Sequence, residues 1–237
     1  MNTWQDDLLS TFDGTWSAQE LFYKVERAAK ELGFDYCAYG LRMPLPLSSP
    51  KTIMLSNYPL AWQARYQSMN YLMKDPSVAA CRKSRDPVIW TDTLFAAAPD
   101  LWEEAREHGL RVGWAQSSLD GGAAGGMLTL ARSDEPLTQL ELSSNDIKRR
   151  WLVQIAHVAM SRVLAEQSTR HQEVQLTERE AEVLRWTADG KTSGDISEIL
   201  SVSENTVNFH VKNAVAKLGT ANKTAAVVKA ALMGLLT

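Results

Sequence analysis

Cysteine is scarce in this 237-residue sequence, where only Cys37 and Cys81 occur. Both lie beside apolar residues, and their separation matches no zinc-binding spacing. Small secreted domains commonly carry several disulfides, whereas cytoplasmic proteins keep their thiols reduced. The sequence therefore favours a cytoplasmic protein with two reduced cysteines over a disulfide-bonded one.

Long hydrophobic runs are also absent. No segment approaches the about eighteen consecutive apolar residues that indicate a membrane-spanning helix. The first residues, MNTWQDDLLSTFDG, are acidic and mixed, and they lack the basic start and apolar middle of a secretory signal. We therefore expect neither a membrane span nor a membrane partner.

Catalytic and cofactor-binding patterns are missing as well. The four histidines are scattered, and none lies near a G-x-S-x-G or a metal-ligand spacing: they are His108, His157, His171 and His210. Residues 190–192, GKT, resemble the end of a P-loop, but the motif requires glycine where Arg185 stands. The sequence predicts that the protein is not an enzyme and uses no cofactor or metal.

Neither sign of charge dominates, since the net charge is −3 at pH 7. From position 201 onward, however, four lysines accompany one glutamate, a balance of +3 that leaves −6 for the preceding residues. A basic terminal segment on an acidic body is typical of a DNA-binding tail.

Aromatic residues, by contrast, are concentrated in YPLAWQARYQSMNYLMKDP, positions 58–76. Aromatic side chains at helical spacing usually fill a core, so a core helix is the first interpretation. A box that holds a ligand is the alternative. In both interpretations we expect Leu60, Ala61 and Ala64 to make core contacts.

The elements before position 133 alternate between helical and extended patterns. Ser17 and Glu20 form a capping box that starts one helix, and Gly33 stops it. Predicted helices cover 17–32, 59–70, 76–84 and 100–108, and predicted strands cover 34–43, 51–57, 88–92, 112–119 and 125–132. The glycine-rich turn between the last two strands indicates an antiparallel hairpin. The fold class is therefore α+β, with an N-terminal α/β/α sandwich around an antiparallel sheet.

A helical pattern follows over 138–166, with a capping box of Thr138 and Glu141. A mainly apolar stripe recurs at three- and four-residue steps: Ile147, Trp151, Ile155 and Val158, continued by Arg162. Its basic neighbours are Lys148, Arg149 and Arg150. The stripe packs either on the protein's own sheet or against a partner chain, and the unusual length favours a partner. The boundaries predicted from these patterns are a domain over 1–165, a polar linker over 166–175 and a second domain over 176–237.

The last domain divides into four short helices. The predicted caps are Thr177, Ser193, Ser203 and Asn222, and Gly190 and Gly219 end the first and third helices. The tight connection around a buried Val202 gives the spacing of a helix-turn-helix.

The third of these helices has an apolar and a polar face. Val207, Val211, Ala214, Val215 and Leu218 point inward. The polar side suits a major groove, with the candidate DNA-binding residues Ser203, Glu204, Asn205, Thr206, Asn208, Phe209, Lys212 and Asn213. A solvated face on a small bundle is the alternative.

Two resemblances follow from these residues. The segments LTEREAEVLRWTADGKTSGDISEIL and SENTVNFHVKNAVAKL, followed by ANK, resemble the DNA-binding domain of LuxR-type transcription regulators. The stretches GFDYCAYGLRMPLP, SNYPLAWQARYQSMNYLMKDPSV, VIW, LWEEAREHGLRVG and GGMLTLARS resemble the autoinducer-binding domain of acyl-homoserine lactone receptors. No receiver-domain pattern of strand-end acids is present.

The second resemblance implies a role for each pocket residue. Trp62 would hold the lactone carbonyl, and Asp75 would accept the amide hydrogen. Tyr66 would line the acyl entrance, Tyr58 would reach the amide or acyl oxygen, and Trp90 would lie against the lactone ring. Ser77 and Thr129 would assist the amide oxygen, and Gly113 matches a glycine near the pocket.

The tail pocket predicted from the resemblance comprises Tyr71, Val78, Trp102, Leu110, Ala115 and Met127. The bulk of Trp102 and Met127 favours a tail of roughly six to ten carbons. Ala38 stands where some relatives have a hydroxyl residue, which leaves 3-oxo recognition open. A buried Asp75 without a donor would be costly, so we expect an empty domain of low stability.

Together these features predict a quorum-sensing transcription factor that binds an N-acyl-homoserine lactone. The resemblance implies a homodimer, double-stranded DNA with an inverted repeat and RNA polymerase as partners. Lactone hydrolysis is disfavoured because no nucleophile with a base is visible. The alternatives are a LuxR-type regulator that acts without lactone and one that pairs with a related receptor.

Overall fold

The computed structural model describes residues 12, 14, 16–119, 125–168 and 174–236. The chain divides into two compact units, one drawn mainly from the residues up to Ser168 and the other mainly from those after it. Each unit has its own core.

The first unit is built on a five-stranded sheet in the order β2-β1-β5-β4-β3, with every pairing antiparallel. The strands are β1 (Tyr36–Arg42), β2 (Thr52–Ser56), β3 (Val88–Ile89), β4 (Val112–Leu119) and β5 (Gly125–Arg132). All five predicted strands are confirmed. β3 is shorter than the predicted 88–92 because Thr91 caps a helix through its side chain, which accepts from the Leu94 amide.

Helices cover both faces of this sheet. They are α1 (Ala18–Glu31), α2 (Leu60–Ser68), α3 (Pro76–Lys83), α4 (Asp92–Phe95), α5 (Pro99–Glu107), α6 (Gln139–Ser144) and α7 (Asp146–Ser168), with a 3-10 turn at Tyr71–Met73. The predicted Ser17–Glu20 capping box at the start of α1 is confirmed. α4 and the 3-10 turn were not predicted.

Successive side chains along each strand point to opposite faces of the sheet, and each face has its own core. Tyr39, Leu128 and Leu130 pack with α1 and α7. Tyr36 and Ala131 point to the opposite face, where they pack with residues of α2, α4 and α5. The α+β class and the α/β/α sandwich around an antiparallel sheet are therefore confirmed.

The prediction of one continuous helix over 138–166 is wrong, because the chain breaks at Asn145 between α6 and α7. The Thr138 side chain caps α6, but the Glu141 carboxylate binds Arg132 instead of returning to the cap. The fully buried Arg149 donates to the carbonyls of Glu141 and Leu142. The last carbonyls of α6 thus find a side-chain partner in place of a continuing helix.

Most of the predicted stripe on α7 faces away from the sheet, although Ile155 packs against its core. Ile147 is 63% exposed and Val158 60% exposed, whereas Leu152 and Met160 are fully buried against the sheet. α7 therefore carries two apolar stripes, and the sequence pattern identified the one that its own sheet does not cover.

The second unit consists of α8 (Glu178–Ala188), α9 (Ser193–Leu200), α10 (Glu204–Leu218) and α11 (Lys223–Leu232). Thr177, Ser203 and Asn222 cap their helices as predicted. The predicted Ser193 cap is wrong, because Thr192 forms a capping box with Asp195 and leaves Ser193 as the first helical residue. Val202 is also 36% exposed rather than buried.

Candidate functional site

An aromatic cluster fills the face of the sheet that α2, α4 and α5 cover. Its buried members include Trp62, Tyr71, Phe95, Trp102 and Leu110, with Tyr58, Tyr66 and Trp90 packed against them. Every aromatic residue predicted for the ligand site is therefore in one place. The cluster provides apolar walls with indole and phenol groups distributed among them.

α2 contributes the centre of this cluster. The ring of Trp62 lies 5.7 Å from that of Tyr66, 5.9 Å from that of Tyr71 and 5.4 Å from that of His108. Leu60, Ala61 and Ala64 are exposed instead of core, so that expectation is wrong. The helix turns Trp62 and Tyr66 inward because they lie one turn apart on the face that meets the cluster.

Asp75 is the main polar residue of the site. Its Oδ2 accepts from the Tyr66 hydroxyl at 2.9 Å. Its Oδ1 accepts from the Ser77 amide at 2.8 Å and from the Ser77 hydroxyl at 2.6 Å, which caps α3. The expectation of an Asp75 without a donor is therefore wrong. A carboxylate has about four acceptor positions, so Oδ2 keeps one for another donor.

The phenols beside Asp75 remain protonated. Burial, followed by the nearby Asp75 carboxylate, raises the pKa of Tyr66. Burial also raises the pKa of Tyr58 well above its usual range. Both hydroxyls are therefore hydrogen-bond donors in the neutral pH range.

Trp90 lies directly on Gly113. A Cβ at this glycine would lie 2.0 Å from Cδ2 of Trp90, so no larger residue fits without moving the indole. Among the residues that the structure describes, none accepts a hydrogen bond from the buried Nε1 of Trp90. A buried N–H without an acceptor is uncommon and indicates a group that a ligand could satisfy.

Trp102 is held differently. Its Nε1 donates to Asp92 at 2.7 Å, and its ring stacks on Phe95 with centroids 4.5 Å apart. Arg106 lies over the same ring and pairs with Asp92. The polar edge of Trp102 is therefore committed to the protein, and only its apolar surface is available to a ligand.

The sheet forms the floor of the site. In the strand register, Thr129 of β5 pairs with Ala38 on one side and Ala115 on the other. Thr129 and Ser77 are both buried. Three predicted tail residues lie outside the aromatic cluster: Val78 and Met127, which are half-buried, and Ala115, which is buried on β4.

An ion pair joins α2 to α5 beside the cluster. Arg65 donates to both oxygens of Glu104, at 2.8 and 2.6 Å. The hydrogen bond from Arg65 lowers the pKa of Glu104 to about 2. His108 Nδ1 lies 2.8 Å from the Glu104 carbonyl oxygen. The pair thus fixes the two helices that carry Trp62 and Trp102.

Sequence reasoning missed Phe95, His108 and Asp92. In the sequence, the residues around Thr91 resemble an ordinary strand end. The short helix α4 is recognised only from the hydrogen bond between the Thr91 side chain and the Leu94 amide. His108 reaches Trp62 through a contact that no local pattern predicts.

Both cysteines are buried and free. Burial raises the pKa of each thiol, Cys37 and Cys81, to about 12. Within the described ranges, no group of His, Cys, Asp and Glu side chains could hold a metal ion, and no helix could cross a membrane.

α10 presents the second candidate surface. Glu204, Asn205, Asn208, Phe209 and Lys212 are exposed, whereas Thr206 and Asn213 are half-buried. Phe209 is 59% exposed, an unusual position for a phenylalanine in a small helical unit.

The hydroxyl groups at the start of α10 are already engaged. Ser203 Oγ accepts from the Thr206 amide at 3.1 Å and lies 2.8 Å from the Thr206 hydroxyl. Lys217 binds the buried Glu180 at 2.7 Å and so ties α10 to α8. Lys212, by contrast, is exposed on the outward face.

The comparisons with known proteins cover almost the whole chain. Residues 17–163 match the autoinducer binding domain family, and residues 174–230 match the bacterial regulatory proteins of the luxR family. The transcriptional activator protein AnoR of Acinetobacter nosocomialis is 46% identical over 238 residues, with 100% of each chain covered. The regulatory protein SdiA of Escherichia coli K12 is 38% identical, over 99% of this chain and 97% of its own.

A solved structure of SdiA in complex with octanoyl-rac-glycerol has a TM-score of 0.85 and 38% identity, covering 99% of this chain and 96% of that chain. The matched family consists of transcription regulators and not of enzymes. Its first domain binds a signal ligand and its second domain binds DNA. The chain belongs to the LuxR-type quorum-sensing transcription regulators.

Proposed function

We propose that the protein binds an N-acyl-homoserine lactone in the aromatic cluster and, as a dimer, binds an inverted-repeat promoter element. The observation that carries the ligand assignment is the Asp75 carboxylate at the edge of the cluster. Its spare acceptor position suits the amide N–H of such a lactone.

The remaining polar groups match the remaining polar atoms of the ligand. In the proposed arrangement Trp62 donates to the lactone carbonyl and Tyr58 donates to the acyl oxygen. The orphaned Nε1 of Trp90 lies in the same cluster, against the lactone ring. Thr129 assists at the amide oxygen, and Ser77 does so when its hydroxyl turns from Asp75 to the ligand. An enclosed amphiphile needs such donors because unsatisfied carbonyls are costly to bury.

The acyl tail is proposed to lie along the apolar surfaces of Tyr71, Trp102 and Leu110. All three are buried in the cluster. The octanoyl chain bound by SdiA supports a tail in the range of roughly six to ten carbons.

That complex also favours a second ligand class for this chain. An acylglycerol has an ester and hydroxyl groups in place of the lactone and the amide. A glycerol hydroxyl could donate to Asp75, but the ester itself offers no N–H. The regulator would then respond to a lipid-derived molecule without a lactone signal.

A thermal-shift panel separates these candidates. It would contain acyl-homoserine lactones of varied length and 3-oxo state together with octanoylglycerol. A ligand at a hundredfold excess over its dissociation constant stabilises by about 2.7 kcal/mol. The largest shift is expected for an unsubstituted lactone of medium length. Stabilisation by octanoylglycerol alone would favour the second class, and no shift with any member would contradict a receptor for either.

We further propose that the domain boundaries are 1–165, 166–175 and 176–237, and that two chains pair through α7. The support is the exposed stripe of Ile147, Trp151 and Val158 on a helix whose opposite side is buried. In the dimer, each α10 reads one half-site, and the two half-sites lie about one or two turns of the DNA helix apart. The regulator would act in the cytoplasm, with RNA polymerase as a further partner.

The DNA interface has its own test. Lys212 is exposed on the outward face of α10, where it suits a phosphate. Lys212→Ala should weaken DNA binding and make the slope of log affinity against log salt shallower by about one unit for each phosphate that Lys212 neutralises. An unchanged slope would show that Lys212 binds no phosphate.

A further inference from the structure

The side chain of Asn208 on α10 is hydrogen-bonded to a residue of another helix. Ser193, in the first turn of α9, has its Oγ 2.8 Å from Oδ1 of Asn208 and donates to it. Asn208 is exposed, with Asn205 and Lys212 about one turn away on the same face. The contact therefore lies on the surface that faces DNA in the proposed function.

The orientation of an asparagine amide determines what it can read. An asparagine that recognises adenine both accepts from the N6 amino group and donates to N7. In this structure the carbonyl edge of Asn208 is turned toward Ser193. The outward edge is consequently the Nδ2 amino group, which only donates. Such an edge matches N7 and O6 of guanine or O4 of thymine. At adenine it meets only N7, and the N6 amino group is left without an acceptor.

Resting on the proposed DNA-reading role of α10, we propose that Ser193 is a positioning residue for base specificity. It acts through Asn208, whose donor edge it turns toward the groove. The base that Asn208 meets is then guanine or thymine, and adenine is disfavoured.

The role of Ser193 is separable from folding. Thr192, not Ser193, caps α9 and forms the box with Asp195. The core contact of this turn is made by the buried Ile196. Ser193→Ala should therefore fold normally. Ser197→Ala is a matched control, since this serine is on the same helix and donates to the Gly194 carbonyl at 2.7 Å.

The test is a binding-site selection with the full-length protein and octanoyl-homoserine lactone. The DNA is a duplex library randomised over about 20 base pairs, enough for two half-sites. Asn208→Ala identifies the base pair at which preference disappears, and the unmodified protein should select guanine or thymine there. Ser193→Ala should raise the ratio of adenine to guanine at that pair by about threefold to tenfold, the effect of one hydrogen bond. Ser193→Thr keeps the hydroxyl and should give the same ratio as the unmodified protein. Ser197→Ala should not change the ratio either.

Each contrary result has a distinct meaning. An unchanged ratio in Ser193→Ala, with no preference left in Asn208→Ala, would overturn the role of Ser193 and leave α10 as the reading helix. Full preference in Asn208→Ala would show that Asn208 reads no base, which also overturns it. If the unmodified protein selected no sequence at all, the proposed function itself would fail.

Discussion

Asp75 combines two roles in one side chain, as the cap of α3 and as the proposed acceptor for the ligand amide. Asparagine is also a good helix cap, so Asp75→Asn should fold with little loss of stability in the absence of ligand. The charge-assisted bond to the ligand disappears, and lactone binding should weaken by about tenfold to a hundredfold. Isothermal titration with the best lactone of the panel measures this change.

Asp86→Asn is the matched control for this substitution. Asp86 also accepts from a serine hydroxyl, that of Ser84 at 2.9 Å, but it lies on the exposed surface. Its replacement should leave lactone affinity unchanged. Equal losses in the two variants would argue against Asp75 as the amide acceptor.

Ala38 bears on the oxidation state of the acyl chain. It pairs with Thr129 in the sheet and brings no hydroxyl to the floor of the site. Ala38→Ser should add a donor beside Thr129 and raise the affinity for a 3-oxo lactone, relative to the unsubstituted lactone, by roughly threefold to tenfold. The ratio of the two dissociation constants is the measurement, because it cancels any general effect on folding. A constant ratio would place the C3 position of the ligand elsewhere.

How much of the site the sequence predicts depends on the kind of contact. Trp62, Tyr66 and Asp75 lie close together in the chain, and helical spacing brings the first two to one face. Phe95 and His108 join the same cluster through long-range packing, which no local pattern contains. The donors to Asp75 were missed because a cap bond depends on where a helix begins, and α3 begins at the following proline.

At the scale of elements, the junction between α6 and α7 depends on Arg149. This fully buried guanidinium donates to two carbonyls of α6, and it lies 5.5 Å from the centre of the Trp114 ring. Arg149→Ala should lower the free energy of unfolding by about 2–5 kcal/mol, because it leaves a cavity and removes the donor 2.6 Å from the Leu142 carbonyl oxygen. Urea unfolding of the lactone-bound protein measures the loss.

Arg150 is the control that the chain itself offers. It is the next residue, and its pair with Asp146 is on the surface, with side chains 44% and 39% exposed. Arg150→Ala should therefore cost less than about 1 kcal/mol. If the two variants lost equal stability, the break at Asn145 would not depend on the buried arginine.

The elements themselves were largely predictable because their boundaries are chemical. Ser17, Thr177 and Asn222 each cap a helix through a side-chain bond to a nearby amide. The break at Asn145 was not predictable, since the burial of Arg149 and the binding of Glu141 by Arg132 both depend on the tertiary fold. Likewise Thr192 and Ser193 are both good caps, and the Thr192–Asp195 capping box decides between them.

At the scale of the whole molecule, the charge pattern and the motifs predicted two units with different tasks. The acidic first part contains the aromatic cluster, and the second part contains the helix-turn-helix. Composition could not predict which side of α7 its own sheet covers, because both sides are apolar. The sequence pattern favoured a partner contact on α7, and the exposure of Ile147 and Val158 identifies the side of the helix that is available for it.

A substitution that introduces a charged side chain into the exposed stripe tests whether two chains pair through this side of α7. Val158 is 60% exposed in the single chain, so Val158→Glu should fold normally. In the proposed dimer the carboxylate would be buried without a partner, and dimer dissociation should become at least about tenfold easier. Sedimentation equilibrium of the lactone-bound protein measures the constant. Leu60→Glu is the control, since Leu60 is 82% exposed on α2 and outside the stripe.

The result also separates a homodimer from the alternatives. A weaker dimer in Val158→Glu but not in Leu60→Glu would support self-association through α7. An unmodified protein that is monomeric at every concentration, yet associates when a related receptor is added, would instead favour heterodimer formation. Equal association in all three proteins would contradict an interface on α7. Another surface would then have to hold the two reading helices in the fixed relation that two half-sites require.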